Sequence, residues 1–178
     1  MSAPGDVFFV EQHDWVSWWI RFAQKRKWGS KNPVALWNHC GLVVGTDGEV
    51  IQANPGGMGA GNLTEYALTQ TTILRPPYQP AWEDSGLVHL DGSRIACAAM
   101  EELLANHDHY GWWTIFSVAL TLMTGTRLRF GVANCLICSG AVSYALTRAN
   151  IDVGDDSDWN SPSDLMDYAL TGKWQVIA

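Results

Sequence analysis

The chain has 178 residues, enough for one domain with a sizeable buried core. Hydrophobic residues make up 47% and charged residues 16%, which excludes a disordered chain. A net charge of -7 argues against a nucleic-acid partner, because phosphate binding needs concentrated Lys and Arg.

Residues 6–10, within Gly5-Asp6-Val7-Phe8-Phe9-Val10, read as an opening strand that follows Met1 almost at once. With no basic leader or cleavage region before it, cytoplasmic synthesis without a signal peptide is expected. Asp14 to Lys27 reads as a helix with Asp14 as N-cap, because Trp15, Trp18, Trp19 and Phe22 recur at i, i+3, i+4 and i+7. That aromatic stripe is expected to face the core, the alternatives being a wall for an acyl chain or a docking surface. Arg21, Lys25, Arg26, Lys27 and Lys31 read as the solvated end of this helix rather than an anion or membrane site. Gly29 to Pro33 ends it.

Leu36 to Val44 and Glu49 to Asn54 form a predicted hairpin around a tight Asp47-Gly48 turn. Pro55 to Gly61 holds four Gly and is expected to be an irregular loop. It carries no Gly-Lys-Ser/Thr, so it does not cradle phosphate, and it suits a cleft wall. Thr71 to Arg75 is another strand, stopped by Pro76-Pro77, and 78–91 reads as loop. Helices are expected over Arg94 to Asn106, Trp112 to Met123 and Ser139 to Asn150, and from Ser161-Pro162-Ser163-Asp164, with a short strand over Lys173 to Ile177. The apolar stretch Trp112 to Met123 is too short to span a bilayer, so no transmembrane segment is expected. Helices and antiparallel strands mix without a βαβ rhythm, so residues 1–178 read as a single α+β domain.

Four Cys without a secretory leader suggest free thiols rather than a disulfide framework. Cys138 falls at a helix start, where the helix dipole and unpaired N–H groups favour thiolate and could hold an oxyanion. Its plain alternative is a buried Cys on an apolar helix. Cys135 and Cys138 form a CxxC pair, but neither a second ligand pair for zinc nor a strand–CxxC–helix in a βαβ setting accompanies it. No metal or cofactor is therefore expected. His39, Gly41 and Val43 share one strand face. A two-residue Asp47-Gly48 turn would set Val43 opposite Gln52 and Gly41 opposite Asn54, bringing two amides to that face. Either could orient the imidazole.

The chain resembles the circularly permuted papain-like hydrolases of the YiiX/YaeF type, relatives of NlpC-type peptidases and lecithin retinol acyltransferase. The resemblance is carried by Gly5 to Val10, His39-Cys40-Gly41-Leu42-Val43-Val44, Val50-Ile51-Gln52-Ala53 with the Gly-rich loop and Leu63, Cys138-Ser139-Gly140-Ala141-Val142 and Ser161-Pro162-Ser163-Asp164-Leu165. It implies a permuted papain-like, NlpC-like fold with an antiparallel sheet packed against helices. Cys138 then takes the nucleophile's place and His39 the base's. The third polar position falls on Gln52, where such relatives often carry an acid or a second His; ideal hairpin register leaves Asn54 as the other candidate. Tyr110 takes the place of a Tyr lining the cleft; Gly57, in the Gly-rich loop read as a cleft wall, is the other candidate for substrate binding.

The expected activity is that of a cysteine amidase or peptidase acting on a peptide or peptidoglycan-like substrate, a lipid ester being the second choice. The rival expectation is a non-catalytic structural or docking component of a larger assembly, such as a phage tail in a virion, which meets its partner through Trp-rich surface. A tail-associated enzyme would combine both.

Overall fold

The computed structural model describes residues 1–54, 57–78, 80–82, 89–106, 137–154, 160–172 and 174–178. The expected helix over 112–123, and with it Tyr110 and Cys135, lies outside these. Strand β1 (Val7–Val10) is buried at every position and consists of the β-branched and aromatic residues that fill a central strand. Helix α1 (Trp15–Trp28) starts where the Asp14 side chain accepts from the Ser17 N–H, and stops at Gly29, whose φ of 87° few other residues adopt.

The expected strand over 36–44 is shorter, because Asn32 and Pro33 start a 3₁₀ turn (Pro33–Leu36). Strand β2 is His39–Val43 and β3 is Glu49–Asn54. Their connection is not a two-residue turn: the Val44 and Gly45 N–H groups both donate to the Glu49 carbonyl, and Gly48 takes a φ of 81°. Val43 therefore pairs with Val50 and Leu42 with Ile51, a two-residue shift from the expected register. A shift of two keeps every side chain on its predicted face.

The glycine-rich segment is also ordered differently from expectation. Gly57–Asn62 is strand β4, paired with β3 from Glu49↔Asn62 to Asn54↔Gly57. A ladder uses only backbone groups, so glycines can pair, here at the edge of the sheet. Strand β5 (Thr71–Arg75) follows, and the region expected to be loop contains two short paired strands, β6 (Pro80–Trp82) and β7 (His89–Asp91). Helices α2 (Gly92–Asn106), α3 (Cys138–Arg148) and α4 (Pro162–Thr171) match the predicted helices within two residues. The Ser161–Asp164 capping box opens α4, and β8 (Gln175–Val176) closes the chain against β5.

The main sheet runs β4-β3-β2-β1-β5-β8, with every pair antiparallel. One face, bearing Val7, Phe9, Cys40, Leu42, Ile51 and Leu74, packs with apolar residues of α2, α3 and α4. The other carries a smaller cluster of Phe8, Val10, Val43, Val50, Tyr66 and Ile73. The architecture is α+β: a six-stranded antiparallel sheet with, among the described residues, four α-helices.

Candidate active site

His39 is the first residue of β2 and is buried, opposite Val10 of β1. Strand alternation puts it on the face away from Leu42, beside Phe8 and Tyr66, whose ring centroids each lie 6.1 Å from the imidazole. Gly41 makes this possible. A Cβ there would stand 2.6 Å from the Phe8 ring, so only glycine lets that ring lie across β2 and back the histidine.

The imidazole is held from β3. His39 Nε2–H donates to Gln52 Oε1 at 2.7 Å, and the Tyr66 hydroxyl donates to the same oxygen at 2.6 Å. Two donors on one amide oxygen fix which way the Gln52 amide points, and so fix the histidine tautomer. Nδ1 is left as the nitrogen that can take a proton from a thiol. Gln52 is buried, and Gly61 on β4 makes room for it: a Cβ there would meet Gln52 Nε2 at 3.2 Å. Of the two candidate amides, then, Gln52 holds the ring. Asn54 lines a cavity of about 160 Å³ beside His39, together with Gln12, Asp14, Val16, Ser17 and Ile20.

Cys138 is the first residue of α3, which packs on β2 and β3. The first helical hydrogen bond runs from the Ala141 N–H to the Ile137 carbonyl, so the N–H groups of Cys138, Ser139 and Gly140 precede the ladder. Ile137 supplies no side-chain cap. The helix start thus presents donors and the positive dipole end beside the sulfur.

His39 and Cys40 both act on the Cys138 thiol. A hydrogen bond from Cys40 is the largest influence holding the Cys138 thiol well below its ordinary value. Burial opposes it, and the hydrogen bond and charge of His39 add to it. At His39, burial is the largest influence and pulls the imidazolium down, but the Cys138 hydrogen bond and charge, the Gln52 bond and the Asp14 charge together raise it above 6.5. Burial, with the Cys138 thiolate beside it, pushes the Cys40 thiol well up, so Cys40 stays protonated and donates. The arrangement favours a Cys138 thiolate paired with a His39 imidazolium.

Asp14 was legible only as a helix cap, yet its charge reaches His39. Partial burial pushes its carboxyl up, but bonds from Ser17 and neighbouring N–H groups hold it below its usual value. Where Gln52 supplies no charge, Asp14 supplies some from a distance. Cys40 and Tyr66 also escaped the sequence reading. Strand alternation places Cys40 toward the helices, which was available from sequence; its meeting with Cys138 was not. Gly57, expected in a loop lining the cleft, is the first residue of β4. Among the described residues no cluster of three or more His, Cys, Asp or Glu is placed to hold a metal ion.

The chain matches no protein-family model and no curated protein sequence. No helix among the described residues is long and apolar enough to cross a membrane.

Proposed function

We propose that this protein is a cysteine hydrolase of the permuted papain-like, NlpC-like type, which opens an amide bond through a thioester on Cys138. The observation that carries this reading is the arrangement itself: Cys138 opens a helix that packs on the strands bearing His39 and Gln52, and the imidazole is anchored through Nε2, with the thiol held below its ordinary value and the imidazole above its own. Two buried groups whose environments push their titrations together into an ion pair are the expected form of an activated thiol nucleophile.

On this reading the reaction runs in two stages. The Cys138 thiolate attacks the carbonyl carbon, and the N–H groups at the α3 start receive the developing oxyanion. The His39 imidazolium gives its Nδ1 proton to the leaving amine, which departs and leaves a thioester. The neutral imidazole then takes a proton from water, the hydroxide adds to the thioester carbonyl, and collapse of that adduct breaks the C–S bond, releasing the carboxylic acid and restoring the Cys138 thiolate beside the His39 imidazolium. A peptide or peptidoglycan-like amide is the substrate class proposed first, and an ester is the easier variant of the same chemistry.

Incubation with an activated model ester or amide, followed by intact-mass analysis, tests this. An acyl adduct on Cys138 that is absent from Cys138→Ala and slowed in His39→Ala is the expected result. A wild-type chain that forms no adduct and turns over neither amides nor esters would sink the hydrolase reading and favour a non-catalytic component of a larger assembly. One observation supports a surface role in any case. The aromatic stripe of α1 faces outward, with Trp15, Trp18, Trp19 and Phe22 all exposed, against the expectation that it packs in the core.

A further inference from the structure

The candidate site holds two sulfurs, and amide cleavage uses one of them. Cys40 is the second residue of β2, paired with Phe9 of β1, and strand alternation turns its side chain away from His39 and toward the helices. There it meets the first residue of α3, which packs on that strand. Cys40 gives the Cys138 sulfur one hydrogen bond from its thiol and a second from its backbone N–H. Both side chains are buried in the same apolar cluster, and neither is in a disulfide. Cys97 is buried there too, but its thiol donates to the Val43 carbonyl, 3.7 Å away.

A reactive thiolate with a second thiol hydrogen-bonded to it is the arrangement in which an oxidised sulfur is resolved from within the protein. We propose that Cys138 is a site of oxidation by hydroperoxides and that Cys40 is its resolving thiol, the two closing a reversible disulfide that switches the site off. The proposal rests on the reading of Cys138 as the site's reactive thiolate, and on no step of amide cleavage.

The chemistry balances in two steps. The Cys138 thiolate attacks the terminal oxygen of the hydroperoxide. The S–O bond forms, the O–O bond breaks, and the departing oxygen takes the proton of the His39 imidazolium and leaves as an alcohol or water. Sulfur gives up two electrons, the peroxide gains them, and Cys138 becomes a sulfenic acid. The Cys40 sulfur then attacks the Cys138 sulfur. The S–S bond forms, the S–O bond breaks, and the hydroxide leaves with the Cys40 proton as water. A dithiol reductant returns two electrons and two protons and restores both thiols.

Two features favour Cys40 over other fates of the sulfenic acid. The first is access. Cys138 is almost wholly buried and Cys40 entirely so. The cavity of about 160 Å³ beside His39 admits a small peroxide, since a water takes only about 30 Å³, whereas a bulky external thiol meets a closed surface. The second is charge. Burial, and after it the Cys138 thiolate, hold the Cys40 thiol up. Oxidation to a neutral sulfenic acid removes that thiolate, so Cys40 gives up its proton more readily when it must attack. Closing the sulfurs from hydrogen-bond contact to a covalent bond needs a shift at the start of α3, where Ile137 supplies no side-chain cap.

Peptide mapping without reductant, after the full chain has met an equimolar amount of hydrogen peroxide, decides the matter. The expected result is a Cys40–Cys138 cross-linked peptide and loss of two of the four free thiols. Dithiothreitol should recover both thiols, and with them turnover of a model ester. In Cys40→Ser and Cys40→Ala, checked for folding by thermal melts, dimedone should capture a Cys138 sulfenic acid. Excess peroxide should carry these variants to a sulfinic acid that dithiothreitol does not reverse. The wild-type map decides the proposal even where a variant fails to fold. Wild-type Cys138 trapped by dimedone while Cys40 stays reduced would overturn it. So would a bridge from Cys138 to Cys97, to Cys135 (outside the described residues) or to a second chain, or a Cys138 that peroxide leaves untouched. Acylation of the reduced protein by the model ester reports the hydrolase reading separately. An acylated Cys138 that never bridges sinks only the switch, and a bridge without acylation sinks only the hydrolase.

Discussion

Replacing Gln52 by Leu removes one oxygen and strands two donors. His39 Nε2–H and the Tyr66 hydroxyl both end on Gln52 Oε1, at 2.7 and 2.6 Å, in a buried site. Leaving a buried donor without an acceptor costs about 1–3 kcal/mol. Tyr66 retains 7% exposure and His39 5%, so partial access to water places each near the lower end of that range. The Gln52→Leu protein should therefore lose about 2–3 kcal/mol of stability, read by urea denaturation. Catalysis should suffer for a different reason. Without the bond at Nε2 the ring can flip or change tautomer, and Nδ1 no longer stays aimed at the thiol; misplacing a reacting group by about 1 Å costs on the order of 100-fold. The assay is kcat/KM on a model ester together with the rate of Cys138 alkylation by iodoacetamide. Gln52→Glu keeps an acceptor at that position and should restore most of the alkylation rate. A Gln52→Leu protein with wild-type alkylation and turnover would refute the view that this amide positions the imidazole.

Turnover against pH should be bell-shaped: the acid limb reports the lowered Cys138 and lies below the ordinary thiol range, and the alkaline limb reports loss of imidazolium at the raised His39, above 6.5. By linkage, the part of stability due to the raised His39 is fully present below 6.5 and lost as pH rises through the raised value, which thermal melts across that window should show. Cys40→Ala should slow Cys138 alkylation near neutral pH, because it removes the largest influence lowering that thiol; in the wild type Cys40 itself should resist labelling. Gly41→Ala places a Cβ 2.6 Å from Phe8 and 2.9 Å from the Ile51 carbonyl, so it should cost about 1–3 kcal/mol and lower turnover by unseating the ring that backs His39, measured by melting and kcat.

Much of the site could be read from residue order alone, and the reason is parity. Alternation along a strand assigns faces whatever the exact pairing, so His39 and Gln52 were placed on one side even though the turn was misjudged by two residues. The turn itself was not legible. Asp47-Gly48 carries the tight-turn signal, but the Glu49 carbonyl captures the N–H groups of Val44 and Gly45 and widens the loop. The register did not choose between Gln52 and Asn54: carried on from Leu42↔Ile51 it sets Asn54 opposite His39, yet it is Gln52 that bonds the imidazole. Cap chemistry, by contrast, is local. Asp14 and Ser161 each close hydrogen bonds within three residues, and both helix starts stand where the sequence puts them. Cys40 and Tyr66 enter the site through contacts with Cys138 and Gln52 that no local pattern encodes.

Helix α1 shows the converse limit. A period of 3.6 in Trp15, Trp18, Trp19 and Phe22 establishes that they share a face; it says nothing about which way that face points. The usual assumption that the apolar face looks inward rests on burial being the cheapest outcome for a lone soluble chain. Here the inward positions hold Ser17, Ala23 and Gln24, while Trp18, Trp19 and Phe22 pack on one another at the surface. Leaving a large apolar side chain in water rather than burying it forgoes roughly 1.5–3 kcal/mol. Four of them on one stripe is a standing cost that a surface covering the stripe would remove. The site chemistry and the exposed stripe therefore fit together on one short helix: Asp14 at its start biases the His39 imidazolium, and the turns that follow present the aromatic face.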